Sequence, residues 1–247
     1  MTNLHSKIRS HSVFIQDQRT NEIGSGILLK LVDRLFVVSA AHVIESDVHI
    51  SLGLYTPNTH FTILNRWMDK QLDLGYLELK PSEVSLLRGE YSEPFVPRGK
   101  RNREVATRTP KLALCGFPAA TAETRDDHIA IPIMFVTLPI LAPADWPGVF
   151  MDRFEPQVHF LLPFGPKRGG NLLDRNKMPI NHFHPRGFSG SGLWYFDPDT
   201  ENADDPVYSL IGIQHSYDQF YQVLIGTFVN GLIAAIERNY QIPIPNI

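Results

Sequence analysis

The chain holds one cysteine, Cys115, among 247 residues, so no disulfide can form within it. Many secreted proteins of this size are stapled by several disulfides, whereas this chain must hold together by packing, which suits a reducing compartment. The opening residues, Met1-Thr2-Asn3-Leu4-His5-Ser6-Lys7-Ile8, contain no apolar signal-peptide stretch, and a cytoplasmic location is expected. Long hydrophobic runs are lacking too. None approaches the roughly 20 residues of a membrane helix, so no membrane partner is expected. Neither sign of charge dominates. The formal net charge is −3, and no overall field draws the chain to nucleic acid or anionic lipid. The basic stretch Pro97-Arg98-Gly99-Lys100-Arg101-Asn102-Arg103 reads as a solvated loop. Internal repeats and low-complexity tracts are absent.

What is present is a set of short apolar runs punctuated by 17 glycines and 19 prolines. They are rich in Val, Ile, Leu and Phe and too short for helices, so they read as strands. The candidates are Ser12–Gln16, Gly26–Lys30, Leu35–Ser39, Val48–Leu52, Phe61–Leu64 and Leu74–Leu79, followed by Leu112–Phe117, Ile131–Leu138, Val158–Leu162, Gly192–Phe196, Tyr208–Gln214 and Gln222–Phe228. About twelve strands at this spacing predict an all-β sandwich or barrel. One helix stands out at the end, where Val229, Leu232, Ile233, Ile236 and Tyr240 recur at three- and four-residue steps before Pro243 and Pro245. From Pro81 to Thr109 the chain is charged and poor in apolar residues, a connection with room for a helical turn within Ser82–Arg88. The predicted organisation is a first lobe over 1–85, a connection over 86–110, a second lobe over 111–228, and a helix and tail over 229–247.

Three local patterns carry chemistry. Gly24-Ser25-Gly26 opens an apolar strand, and Leu35-Phe36-Val37-Val38-Ser39 then runs into Ala40-Ala41-His42, small residues that let the backbone turn and leave an imidazole room. Asp73 stands just before the alternating strand Leu74-Gly75-Tyr76-Leu77. Pro185-Arg186-Gly187-Phe188-Ser189-Gly190-Ser191-Gly192 is a Gly-rich turn with a serine at its middle. Singly these are a strand-end histidine, a turn aspartate and a turn. Together, in the order His, Asp, Ser, they are a rarer coincidence.

In combination they resemble the trypsin/chymotrypsin family of serine proteases. Ser39-Ala40-Ala41-His42 is similar to its Thr-Ala-Ala-His motif, Asp73-Leu74-Gly75-Tyr76-Leu77 to its aspartate strand, and Gly187-Phe188-Ser189-Gly190-Ser191 to Gly-Asp-Ser-Gly-Gly. Gly24-Ser25-Gly26, Gly116-Phe117-Pro118 and the last helix resemble the disulfide-free bacterial branch. The resemblance covers roughly residues 10 to 240. It implies two six-stranded antiparallel β-barrels with a C-terminal helix, a cleft between the barrels, and a serine endopeptidase acting on a protein or peptide substrate without cofactor. His42, Asp73 and Ser189 would form the triad, and the backbone N–H groups of Gly187 and Ser189 the oxyanion hole. Counting six residues back from the serine places Phe183 at the base of the S1 pocket, with no countercharge for a basic substrate residue. The strand through Ile213, Gln214, His215 and Ser216 would pair with the substrate backbone. Two departures stand out. Phe188 replaces the family's aspartate and no Ile-Val-Gly-Gly-like start is present, so maturation by the trypsinogen route is not expected.

Three readings compete. An α/β-hydrolase needs Gly-x-Ser-x-Gly on a strand-to-helix elbow with Asp and His following; Asp197 to Asp205 and His215 meet the order, but Leu193-Trp194-Tyr195-Phe196 reads as strand. A metal site could draw on His182, His184 and His159, but the lone cysteine is distant and no metal is expected. The strongest rival is a protease fold that is catalytically silent or gated, serving as a binding module with a regulatory partner protein.

Overall fold

The computed structural model describes residues 2–51, 61–83, 95–96, 111–119, 123–125, 128–130, 133–165 and 185–241. They form two six-stranded antiparallel sheets, a small hairpin, a helix at each end and a few short helical turns. The first sheet contains β1 (Ser12–Asp17), β2 (Ile23–Leu31), β3 (Arg34–Ser39), β4 (Val48–Ser51), β5 (Ile63–Asp69) and β6 (Leu74–Leu79), in the order β4-β1-β2-β3-β6-β5. The second contains β7 (Lys111–Gly116), β10 (Met134–Thr137), β11 (His159–Pro163), β12 (Gly192–Phe196), β13 (Tyr208–Asp218) and β14 (Val223–Phe228), in the order β10-β7-β12-β13-β14-β11. The hairpin is β8 (Glu123–Arg125) with β9 (His128–Ala130).

All twelve expected strands are present, within a few residues at their ends. Two differ more. β5 runs on to Asp69 and β13 to Asp218, because pairing with β6 and β14 continues past the apolar residues that mark them in sequence. The eight-residue helix Asn3–Ser10 was not expected. It carries only two core side chains, Leu4 and Ile8, but both are fully buried, and the Thr2 hydroxyl caps it by accepting the His5 N–H. The C-terminal helix spans Asn230–Tyr240 and stops where Gln241 turns left-handed at φ 55°. Pro243 and Pro245, read as its stop, lie outside the described residues.

The core explains how the sheets sit together. Each has its own apolar layer. Val13, Ile15, Leu28, Val37 and Leu77 fill the first, and Leu114, Phe160, Leu162, Leu193 and Leu224 the second. A third, larger layer is shared, with Ile27, Phe36, Val38 and Tyr76 packing with Ala113, Cys115, Trp194 and Ile213, and with Leu232 and Ile236 of the last helix. Phe95 belongs to this layer and is hydrogen-bonded to Leu28 and Lys30, so the polar connection is pinned to β2 at an aromatic residue. The last helix is latched further where the Tyr240 hydroxyl donates to Glu78 Oε2 at 2.8 Å and Asn239 Nδ2 to the Tyr76 hydroxyl at 3.0 Å. Cys115 is fully buried and accepts a hydrogen bond from Ser12 at 3.4 Å; burial pushes its thiol up to about 12. No helix among the described residues is long and apolar enough to cross a membrane.

Candidate active site

His42 comes from the first sheet. β3 ends at Ser39, and buried Ala40 and Ala41 let the chain drop into a single 3-10 turn, Ala41–Val43, that carries the imidazole. Ile44 is fully buried beneath the turn and anchors it. The imidazole is half exposed, facing a cleft. Asp73 precedes β6 with φ 46°, a left-handed conformation that Asp tolerates better than most residues. Its preceding residue is held by the second sheet, where Thr227 donates to the Leu72 carbonyl at 2.8 Å.

Asp73 grips His42 twice. Its Oδ1 accepts the His42 backbone N–H at 3.0 Å, and its Oδ2 lies 2.7 Å from His42 Nδ1. Burial works against the carboxylate. The His42 hydrogen bonds and charge, with His215, outweigh it and hold the carboxyl below the usual range. An ionised carboxylate only accepts, so the Nδ1 proton points at Asp73, and this bond selects the tautomer in which Nε2 is the ring's basic nitrogen.

Ser189 comes from the second sheet, in the turn that leads into β12. Its hydroxyl donates to the His215 carbonyl at 2.9 Å. Ser189, Gly187 and Arg186 line a cleft of about 360 Å³ together with His42, Val43 and Gly24. The structure therefore brings the three triad candidates to one place, with His42 and Asp73 bonded to each other and the serine hydroxyl turned toward β13.

The turn is tightly set. Gly187 and Gly190 both have φ 91°. A side chain at Gly190 would meet the Ser25 carbonyl at 1.8 Å, and one at Gly187 the Ala119 amide nitrogen at 2.5 Å, so both need glycine. Two peptide planes are fixed through their carbonyls. The Arg186 carbonyl accepts from the Ala119 N–H at 2.8 Å, and the Phe188 carbonyl from the Ser191 N–H at 2.7 Å. In a trans peptide the next N–H points the opposite way, which leaves the amides of Gly187 and Ser189 facing away from those partners. Neither has an acceptor among the described residues.

The substrate-strand candidates divide. Ile213 sits fully buried in the shared core, and Gln214 bonds the turn through both its N–H and its carbonyl, so neither offers a free backbone group. A bulge follows between Gln214 and Ser216 in the pairing with β14. Bulges re-aim side chains, and this one buries the His215 ring, with Nδ1 3.0 Å from the Ser216 hydroxyl and 3.7 Å from Asp73 Oδ2. Burial pushes His215 down to about 4, although Asp73 pulls the other way. Phe183, with His182 and His184, lies outside the described residues. His159 is mostly buried, with Nδ1 near the Glu155 backbone. Among the described residues no three His, Cys, Asp or Glu side chains cluster as metal ligands.

In sequence Ser25 stands out only as part of a motif, and His215 only as a residue of the substrate strand or as the histidine of the hydrolase alternative. Both prove to be buried participants, and only contacts across the cleft reveal it. Four buried polar side-chain atoms have no partner among the described residues, and three of them, Ser191 Oγ, Gln214 Oε1 and His215 Nε2, belong to residues of the Ser189 turn or of the β13 segment bonded to it. Unsatisfied buried groups are rare in folded proteins and concentrate where function sets the structure. Neither a scan against protein-family models nor a search of curated proteins found a match for the chain.

Proposed function

We propose that this protein is a serine endopeptidase of the trypsin/chymotrypsin type, each sheet being the wall of one β-barrel lobe and the cleft between the lobes the active site. The carrying observation is the His42–Asp73 pair, joined by two hydrogen bonds and facing a cleft whose other wall bears Ser189 and two amides without an acceptor among the described residues. The Ser189 hydroxyl turns from the His215 carbonyl to His42 when substrate arrives; such bonds commonly tighten only in the substrate complex. His42 Nε2 takes the proton as Oγ bonds to the scissile carbonyl carbon. The Gly187 and Ser189 amides receive the developing oxyanion. The C–N bond then breaks, and His42 returns the proton to the leaving amine. Water, deprotonated by His42, hydrolyses the acyl-enzyme and restores the serine. Asp73 holds the imidazole in the required tautomer and balances its charge. The substrate is a protein or peptide, and the setting is cytoplasmic.

The test is labelling with a fluorophosphonate, in which Ser189 Oγ bonds to phosphorus as fluoride leaves and His42 takes the proton. Wild type is expected to label at Ser189. Ser189→Ala should not label, and Asp73→Asn should label about 10⁴-fold more slowly. A folded wild type that stays unlabelled overturns the reading. One observation favours a second reading, a gated enzyme awaiting a partner protein: in this structure the Ser189 hydroxyl is bonded to the His215 carbonyl rather than to His42. Labelling that appears only when a partner is added would distinguish it.

A further inference from the structure

Ser25 lies on β2 of the first sheet, fully buried, yet its hydrogen bonds reach into the second sheet's turn. Its hydroxyl donates to the Gly187 carbonyl at 2.8 Å and accepts the Phe117 N–H at 2.8 Å. Its backbone N–H donates to the Ser189 carbonyl at 2.7 Å, and its own carbonyl accepts the Ser39 hydroxyl at 2.6 Å, which ties the clamp back to β3. Every polar group of the residue is used, and two of the four bonds fall on the tripeptide Gly187-Phe188-Ser189, whose Gly187 and Ser189 amides have no acceptor among the described residues.

We propose that Ser25 is the positioning residue of this site: from the opposite lobe it clamps the carbonyls of Gly187 and Ser189 and so aims the two amides at the oxyanion. The inference rests on the serine protease reading. The tripeptide opens on Gly187 and is followed by Gly190, both at φ 91°, and glycines give the segment many accessible backbone states. An oxyanion donor is effective only if it is aimed before the charge develops. Besides the Ser191 N–H on the Phe188 carbonyl, three anchors do the aiming here. The Ala119 N–H holds the peptide before Gly187, and fully buried Phe188 plugs the second lobe's core beside Phe164 and Leu193. Ser25 holds the peptide between Gly187 and Phe188 and the carbonyl end of Ser189. Among the described residues the turn is thus set by backbone hydrogen bonds, a neutral hydroxyl and an apolar plug. Ser25 touches no reacting atom; it acts through Gly187 and Ser189.

The test compares fluorophosphonate labelling rates of wild type, Ser25→Ala and Ser25→Thr, followed by amide NMR of the phosphonylated proteins. Ser25→Ala is expected to label about ten- to a hundredfold more slowly, less than the loss of a donor itself. Ser25→Thr, which keeps the hydroxyl, should recover most of the rate. In wild type the Gly187 and Ser189 amide protons should move downfield on phosphonylation, and in Ser25→Ala the Gly187 shift should shrink. The low-field proton between His42 and Asp73 should persist in both, which a general loss of structure would not allow. If Ser25→Ala does not fold, Ser25→Cys carries the test, its thiol being of similar size but a weak donor, with slow labelling expected. A folded Ser25→Ala, or the cysteine variant in its place, that labels at the wild-type rate overturns this proposal alone. An unlabelled wild type overturns the protease reading and this proposal with it.

Discussion

His215 is a neutral imidazole held between His42, Asp73 and His159, with burial opposing its charge more strongly than Asp73 favours it. The consequence is a pH-dependent stability of definite sign. Its folded value of about 4 lies below the ordinary 6.5, so between those values the unfolded chain binds the extra proton. The contribution of His215 is complete above pH 6.5 and is lost as the pH falls to 4, by about 3 kcal/mol in all. His159 and His5 are also pushed down by burial and act in the same direction. Urea unfolding from pH 8 to 4 should show the decline, and His215→Gln should flatten it. An equally steep curve in that variant would show that His215 stays neutral for no such cost. The residue was legible in sequence as part of a strand, but not as a buried ring, because a bulge that depends on pairing with β14 turns it inward.

The turn that holds Ser189 works as an element because its middle is anchored on both sides. Phe188, where the related motif carries aspartate, is fully buried among Phe164, Leu193 and Leu224. Phe188→Ala should lower stability by about 3–5 kcal/mol, read as the urea midpoint, and should also slow fluorophosphonate labelling because the turn loses its plug. Unchanged stability would mean that the apolar pocket collapses without cost or does not hold the turn. The strands themselves were largely legible. Their Val, Ile and Leu runs are buried and bounded by Gly, Pro and Asp, and the Asp17 carboxylate, for example, closes the β1–β2 turn by accepting from the Arg19 and Thr20 amides. The helix that was missed, and the reach of β5 beyond its expected end, have little buried apolar content. The helix Asn3–Ser10 contributes two core residues, too few for a periodic signal, and β5 is largely exposed or half buried.

At the scale of the whole molecule, the largest apolar layer belongs to both sheets and to both terminal helices. Neither sheet can lose its partner without exposing Phe36, Tyr76 or Trp194, so the chain should unfold as one unit. The tryptophans test this. Trp67 packs on the shared layer from the first sheet, whereas Trp146 sits in a small cluster with Phe150 and Leu161 on the second. Variants that keep one or the other should give urea transitions that coincide with each other and with far-UV circular dichroism. Two separated midpoints would show lobes of independent stability. The same sharing explains how the candidate site, split between the two sheets, stays aligned. His42 and Asp73 on one side and Ser189 on the other are fixed by a common core, by Ser25 across the cleft, and by Thr227 on the Leu72 carbonyl.

Local chemistry sufficed for the twelve strands of the two large sheets and for the last helix, and it singled out His42, Asp73 and Ser189 as candidates, because each depends on spacing within a few residues: alternation, helical periodicity, small residues before a histidine, glycines around a serine. The order and partners of the strands, the burial of His215, the inward aim of Ser25 and the resting bond of the Ser189 hydroxyl depend on groups far apart in the chain, 162 residues in the case of Ser25 and Gly187. A hydrogen bond over that separation leaves no periodic trace in sequence. It exists only once two sheets have closed on one core and no water remains to satisfy the same groups.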